Sequence, residues 1–226
     1  PALGFPTLTT WNGLDLLGEE HPLYIGRSVV FGQYGANFAV ANADLILSLG
    51  SRLDTRQTGT RRASFAREAF KIAVDVSAPE LAKGLIDIQC PIHADVKDFL
   101  EALLPFLFGF QGVEIGGWLA RCREWKNRYP VTLPTYAGQK GSVNSYFLVD
   151  ALSGLMASGD TLVTDMGTSL TCTHQAFKAK AGQIVFSNSG FAPMGFGLPA
   201  AIGAWFAAPD RRLVSVHGDG GIQMNI

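Results

Sequence analysis

The chain has 226 residues, 47% of them hydrophobic and 16% charged, with a formal net charge of -1. That length and apolar content support one large or two modest globular cores. The near-zero charge excludes the basic field that nucleic acid or an anionic membrane surface would need. Three widely spaced cysteines, Cys90, Cys122 and Cys172, fit neither a disulfide framework nor a zinc knuckle, and read as packing residues in a reducing, cytoplasmic protein.

The first predicted element is a strand over residues 6–10, followed by a helical pattern over 37–43 and an apolar strand over 45–49. A helix is expected over 62–70, a β-branched strand over 71–76 and an amphipathic helix over 95–104. The alternation breaks between residues 105 and 139, where GFQGVEIGG leads into a charged helix over 118–129. Helical patterns at 144–156 and 169–178 then alternate with strands at 161–165, 184–186 and 213–216. Strand and helix in alternation predict α/β architecture with doubly wound parallel sheets. Two such domains, both incomplete at the chain ends, are expected: residues 1–110, a linker over 111–134, and residues 135–226. Residues 181–209 carry no charge, but Pro193, Pro199 and Pro209 interrupt them, so they read as a loop and a buried helix and not as a membrane span.

Three stretches of the second domain carry chemistry. Gly218-Asp219-Gly220-Gly221 follows an apolar strand; glycines bring bare amides against a phosphate, and a neighbouring carboxylate can hold the cation that neutralises it. A tight turn explains the same tetrapeptide. Thr161-Leu-Val-Thr-Asp-Met-Gly-Thr-Ser169 again ends a strand in glycine and hydroxyls, where helix amides converge on an anion or where the hydroxyls simply cap the helix. Between them lies Asn188-Ser-Gly-Phe-Ala-Pro-Met-Gly-Phe-Gly-Leu-Pro-Ala-Ala-Ile-Gly203. The four histidines show no metal-ligand spacing and read as structural, with His217 set apart by its neighbour Asp219.

MGFGLPAAIGA followed by GDGGIQMN resembles the diphosphate-binding domain of thiamine diphosphate-dependent enzymes, nearest to the acetolactate synthase branch. ANADLILSLGSRLDTRQTG and KIAVDVSAPELAKG resemble the central domain of the same enzymes, so the resemblance covers nearly the whole chain. It implies that Asp219 ligates Mg2+ and that Gly167, Thr168, Ser169, Gly220 and Gly221 hold the diphosphate. It places Met194 as the apolar wedge between the cofactor's two rings, and Ala192, often glycine in the family, where a backbone carbonyl accepts from the aminopyrimidine. Met224 lines the same pocket or packs in the core.

The implied activity is decarboxylation of a 2-keto acid and transfer of the acyl anion equivalent to an acceptor, an acetolactate synthase-like carboligation. The alternatives are non-oxidative decarboxylation in the same family and, from another class, a non-catalytic nucleotide- or flavin-binding module. No catalytic residue is expected in this chain, because the family's activating glutamate belongs to an N-terminal domain, so the sequence reads as a fragment. Arg52, Asp54 and Arg56 match a pattern that contacts FAD in flavin-binding members, where a salt-linked surface loop would look the same. Gly32-Gln33-Tyr34-Gly35 departs from the Gly-Met-His-Gly of those members, so FAD stands only as an optional cofactor. The family also implies a homodimer or homotetramer with the cofactor at a subunit interface, and neither nucleic acid nor membrane as a partner.

Overall fold

The computed structural model describes residues 3–110 and 115–226; residues 111–114, within the expected linker, and residues 1–2 lie outside the described residues. The element order is β1 (Thr7–Thr9), β2 (Tyr24–Arg27), α1 (Tyr34–Ala41), β3 (Leu45–Leu49), α2 (Thr55–Thr58), β4 (Phe70–Asp75), α3 (Ala78–Ala82), β5 (Cys90–His93) and α4 (Val96–Leu103). Then come α5 (Gly116–Arg128), α6 (Ser145–Leu155), β6 (Thr161–Thr164), α7 (Thr168–Ala176), β7 (Ile184–Phe186), α8 (Gly197–Ala207), β8 (Leu213–Val216) and α9 (Asp219–Gln223). The strands form three parallel sheets, ordered β1-β2, β3-β4-β5 and β7-β6-β8. The α/β architecture with parallel strands is the predicted one.

Two local expectations are corrected. The helix expected over 62–70 is a single 3-10 turn, Arg62–Ser64, after which Ala66 takes a positive φ of 42° that no helix continues. Phe70, expected at the end of that helix, instead opens β4 and pairs with Leu45. The strands β2 and β5 fall where no strand was expected; β5 carries Pro91, which its edge position in the β3-β4-β5 sheet tolerates.

The main core lies between the β7-β6-β8 sheet and the helices α6 and α7. Val149 and Met156 from the α6 side meet Leu162 of β6, Cys172 and Phe177 from the α7 side, and Val185 of β7. Burying a side chain of this size contributes about 1.5 to 3 kcal/mol. Leu14, from the turn between β1 and β2, is fully buried in the same cluster, so the N-terminal segment packs onto the third sheet. Backbone and side chains reinforce that docking: the Val185 amide donates to Asp15 Oδ2 at 2.8 Å, the Glu19 amide to the Ala179 carbonyl at 2.8 Å, and Ser189 Oγ to Asn12 Oδ1 at 2.6 Å. Cys122 and Cys172 are buried and unpaired as expected, and Cys90 is half-buried. Among the described residues no helix is long and apolar enough to cross a membrane.

Candidate functional site

The third sheet places the three chemistry-bearing stretches together. In the order β7-β6-β8 the chain leaves β6 through α7 to one neighbour, β7, and returns through α8 to the other, β8. All three strands are parallel, so the loops that follow them emerge at one edge, and the chain's direction of travel reverses between β6 and β8. Open α/β sheets bind ligands outside the strand carboxyl ends at such a switch point. Thr164 pairs with Val216, which sets the loop over residues 165–167 directly beside the loop over 217–218.

Each of these two loops opens a helix that lacks a side-chain cap. Gly167, at φ 79°, is the N-cap of α7, and Gly218 is the N-cap of α9. The first-turn amides of a helix have no intrahelical partner; neither N-cap glycine has a side chain to take them, and of the α9 amides Gly220 is met by the Asp219 carboxylate. Ser169 Oγ turns back to the Met166 carbonyl at 2.8 Å, which fastens the loop and leaves the helix amides free of it. Two adjacent uncapped N-termini are a donor set suited to a polyanion, so the residues present fit a diphosphate. Thr168, Asp219 and Gly220 are exposed, and Gly221 and Ser169 are half-buried at the same edge. Asp219 Oδ1 accepts from the Gly220 amide at 2.8 Å. Among the described residues no group of three or more ligating side chains surrounds it. A magnesium ion suits such a position, since it takes one or two carboxylates and completes its octahedron with water and phosphate oxygens.

The sequence reading passed over Asp165, on which the site is built. Its side chain is 1% exposed and sits immediately after β6. The Gly195 amide donates to both carboxylate oxygens at 3.0 and 3.1 Å, and the Met166 amide donates to Oδ1 at 2.8 Å. A Cβ on Gly221 would stand 2.2 Å from Asp165 Oδ2, so glycine is required for α9 to approach this close. Asp165 thus joins all three loops: its own, the one over residues 187–196, and the turn into α9. Asn225 Nδ2 adds a bond to the Gly195 carbonyl at 2.8 Å. His217 lies against the same carboxylate, with Nδ1 3.9 Å from Oδ2 and Nε2 2.6 Å from Ser215 Oγ; Nδ1 is buried without a hydrogen-bond partner. No local pattern marks Asp165: it follows a Thr-Leu-Val-Thr strand, and the amide that meets both of its oxygens, Gly195, stands thirty residues on.

Met194 is 61% exposed and Met224 is 54% exposed, so neither is a core residue of this chain. Met224 does touch the loop: its Cβ would lie 2.9 Å from a Cβ placed on Gly195. Ala192 adopts φ 58°, the left-handed region that favours glycine, and its amide donates to the Asn188 carbonyl at 2.9 Å. The frequent glycine expected at this position therefore has a backbone reason.

The three candidate flavin contacts stand apart from this edge. Arg52 Nε pairs with Glu80 Oε1 at 3.2 Å, and Lys83 donates to the Arg52 carbonyl. Lys83 first, with Arg52 adding to it, lowers the Glu80 carboxyl below the usual range. Asp54 is the N-cap of α2 and accepts from the Gln57 amide at 3.1 Å. Arg56 is exposed, and its carbonyl accepts from the Val30 amide at 2.7 Å. Gln33, the departure in the flavin loop, receives the Arg27 amide at 3.0 Å and donates to the Gln175 carbonyl at 2.8 Å. These contacts commit Arg52, Asp54 and Gln33 to holding the chain's own loops.

Comparison with known proteins adds two family matches and a set of relatives. Residues 1–103 match the thiamine pyrophosphate enzyme central domain, and residues 165–226 match the thiamine pyrophosphate enzyme C-terminal TPP binding domain. The chain is 34% identical over 225 residues to the acetolactate synthase large subunit of Cyanidium caldarium, covering 98% of this chain and 37% of that protein. It is 32% identical over 221 residues to the acetolactate synthase isozyme 1 large subunit of Escherichia coli (strain K12), covering 98% and 38%. The acetolactate synthase large subunit of Lactococcus lactis subsp. lactis is 33% identical over 220 residues, covering 97% and 37%. The chain therefore spans well under half the length of these relatives.

Proposed function

Because the chain belongs to the thiamine pyrophosphate enzymes, through their central and C-terminal domains, we propose that it is part of a thiamine diphosphate- and Mg2+-dependent carboligase. The reaction is decarboxylation of a 2-keto acid with transfer of the acyl equivalent to an acceptor. The observation that carries the reading is the pair of uncapped helix N-termini flanking the switch point between β6 and β8. The bound cofactor supplies the carbanion chemistry that the protein's own side chains lack.

The chain's residues bind and orient. Amides at Gly167, Thr168 and Ser169 on one loop, and at Gly220 and Gly221 on the other, take the diphosphate, and Asp219 takes the metal. The loop over residues 187–196 would present the Ala192 carbonyl and the Met194 side chain, with Met224 near them, and Asp165 holds this loop through the Gly195 amide. FAD is at most a secondary ligand, since it would have to draw Arg52 from Glu80. Simple decarboxylation is the second reading. Exposed Ile202, Trp205 and Phe206 on α8 support a subunit interface, and three unpaired cysteines support a reducing cytoplasm.

The test uses the full-length protein. Thiamine diphosphate at 100-fold excess over Kd should add about 2.7 kcal/mol of stability, and only with Mg2+ present. Asp219→Ala should abolish that metal-dependent rise in Tm; a rise of wild-type size in the variant removes Asp219 from the metal site.

A further inference from the structure

Arg27 ends β2, on the N-terminal side of the molecule, and is fully buried. Its Nε donates to the His174 carbonyl at 2.6 Å, and its Nη2 donates to the Gln175 and Phe177 carbonyls at 3.0 and 2.9 Å. Nη1 donates to the Tyr24 hydroxyl at 3.0 Å, with Glu19 Oε2 at 3.9 Å. The three carbonyls are the last turn of α7 and its C-cap. The final carbonyls of a helix have no partner within it, and a cation there also complements the helix dipole. Gln33 Nε2 gives the Gln175 carbonyl a second donor at 2.8 Å.

The opposite end of α7 is Thr168 and Ser169. That end has no side-chain cap, so the helix is gripped firmly at the end remote from the site. A nine-residue α-helix is a rod of about 13 Å, and a shift at one end is carried to the other. We propose that Arg27 is a positioning residue for the diphosphate site: by holding the carbonyls of α7 it fixes where the Thr168 and Ser169 amides stand, so that docking of the β1–β2 segment sets diphosphate affinity. The proposal rests on the cofactor reading above and extends it to a residue outside the C-terminal domain.

The test uses the full-length protein and inorganic pyrophosphate with Mg2+ as the probe, with Kd measured by calorimetry. Amide exchange without ligand is followed at Phe177 and at Thr171, whose amide closes the first turn on the Gly167 carbonyl at 3.1 Å. Arg27→Lys keeps the charge but loses the planar fork, and should weaken pyrophosphate about tenfold, as supporting-shell changes do at bound ions. Gln33→Ala removes the second donor to the Gln175 carbonyl and the acceptor of the Arg27 amide but leaves the guanidinium in place, so it remains informative if the arginine variant does not fold, and it should weaken binding in the same direction by less. Exchange should quicken at Phe177 and Thr171 together. Wild-type affinity in both variants, or faster exchange at Phe177 with Thr171 unchanged, overturns the proposal while leaving the cofactor reading intact. A wild-type protein that binds no pyrophosphate overturns both.

Discussion

A side chain as exposed as Met194, at 61%, stabilises little by its own packing. If its purpose is to wedge between the rings of a cofactor, function and stability separate cleanly at this position. Met194→Ala should leave the apo Tm nearly unchanged, within about 0.5 kcal/mol, and lower the cofactor-saturated rate of the full-length enzyme on the order of 100-fold, the scale set by misplacing reacting atoms by about 1 Å. Met194→Leu, close in volume, should keep most of the rate. An alanine variant that turns over as fast as wild type with cofactor saturating would show that no wedge acts at this position. A binding module without catalysis makes a different expectation, since there the methionine serves packing and its truncation would be read in Tm.

At the scale of elements, α7 joins the site to the interior, and it carries a proton-sensitive group. His174 is fully buried, with Nδ1 2.9 Å from the Leu170 carbonyl and Nε2 3.3 Å from Ser187 Oγ. Burial first, and the charge of Arg27 after it, pull its pKa down to about 4, with the Leu170 carbonyl opposing. The ring is therefore neutral at pH 7: Nδ1–H donates to the carbonyl, and Nε2 accepts from the serine hydroxyl. A folded pKa near 4 against 6.5 unfolded means that the unfolded chain gains the proton first. Stability is full above pH 6.5, declines as pH falls from 6.5 to 4, and levels off below 4. Between pH 7 and pH 5 the loss from this residue is about 2 kcal/mol, and His174→Gln should flatten that part of a urea-unfolding profile.

The same element scale shows what the sequence could reveal. Apolar β-runs such as Leu45–Leu49 and Leu213–Val216, and helices with sustained periodicity such as Val96–Leu103, were legible because their signal is local. Strand β2 was not, because its four residues include Gly26 and end on Arg27, whose burial depends on three carbonyls some 150 residues away. Strand β5 hid behind its proline. In the site, glycine, hydroxyl and acid at strand ends marked the loops after β6 and β8, whereas Asp165 takes its meaning from Gly195, thirty residues on. Residues whose role depends on a distant partner are silent in a linear pattern.

Across the whole molecule, the apolar surface is unevenly distributed. Helix α8 buries Gly197 and Ala201 and leaves Ile202, Trp205 and Phe206 open, while Phe191 is 93% exposed on the loop before it. A surface of this kind drives association. The 226-residue chain by itself should sediment as more than a monomer at micromolar concentration, and Trp205→Lys with Phe206→Glu should shift it towards the monomer. A monomeric wild-type chain at those concentrations would contradict this expectation. The same experiment on full-length protein asks whether the face belongs to a subunit interface.

The grip of Arg27 on α7 also bears on synthesis at the ribosome. Its acceptors lie 147 to 150 residues downstream. At about 5 to 20 residues per second, roughly 7 to 30 s elapse between the emergence of β2 and that of the carbonyls that complete it. During that interval the guanidinium stays hydrated and Leu14 has no core to enter, because its partners in α6, β6, α7 and β7 are still to be made. This segment is thus finished long after it is made, and a nascent chain interrupted before Phe177 presents a chaperone with an open apolar turn beside the two-stranded β1-β2 sheet.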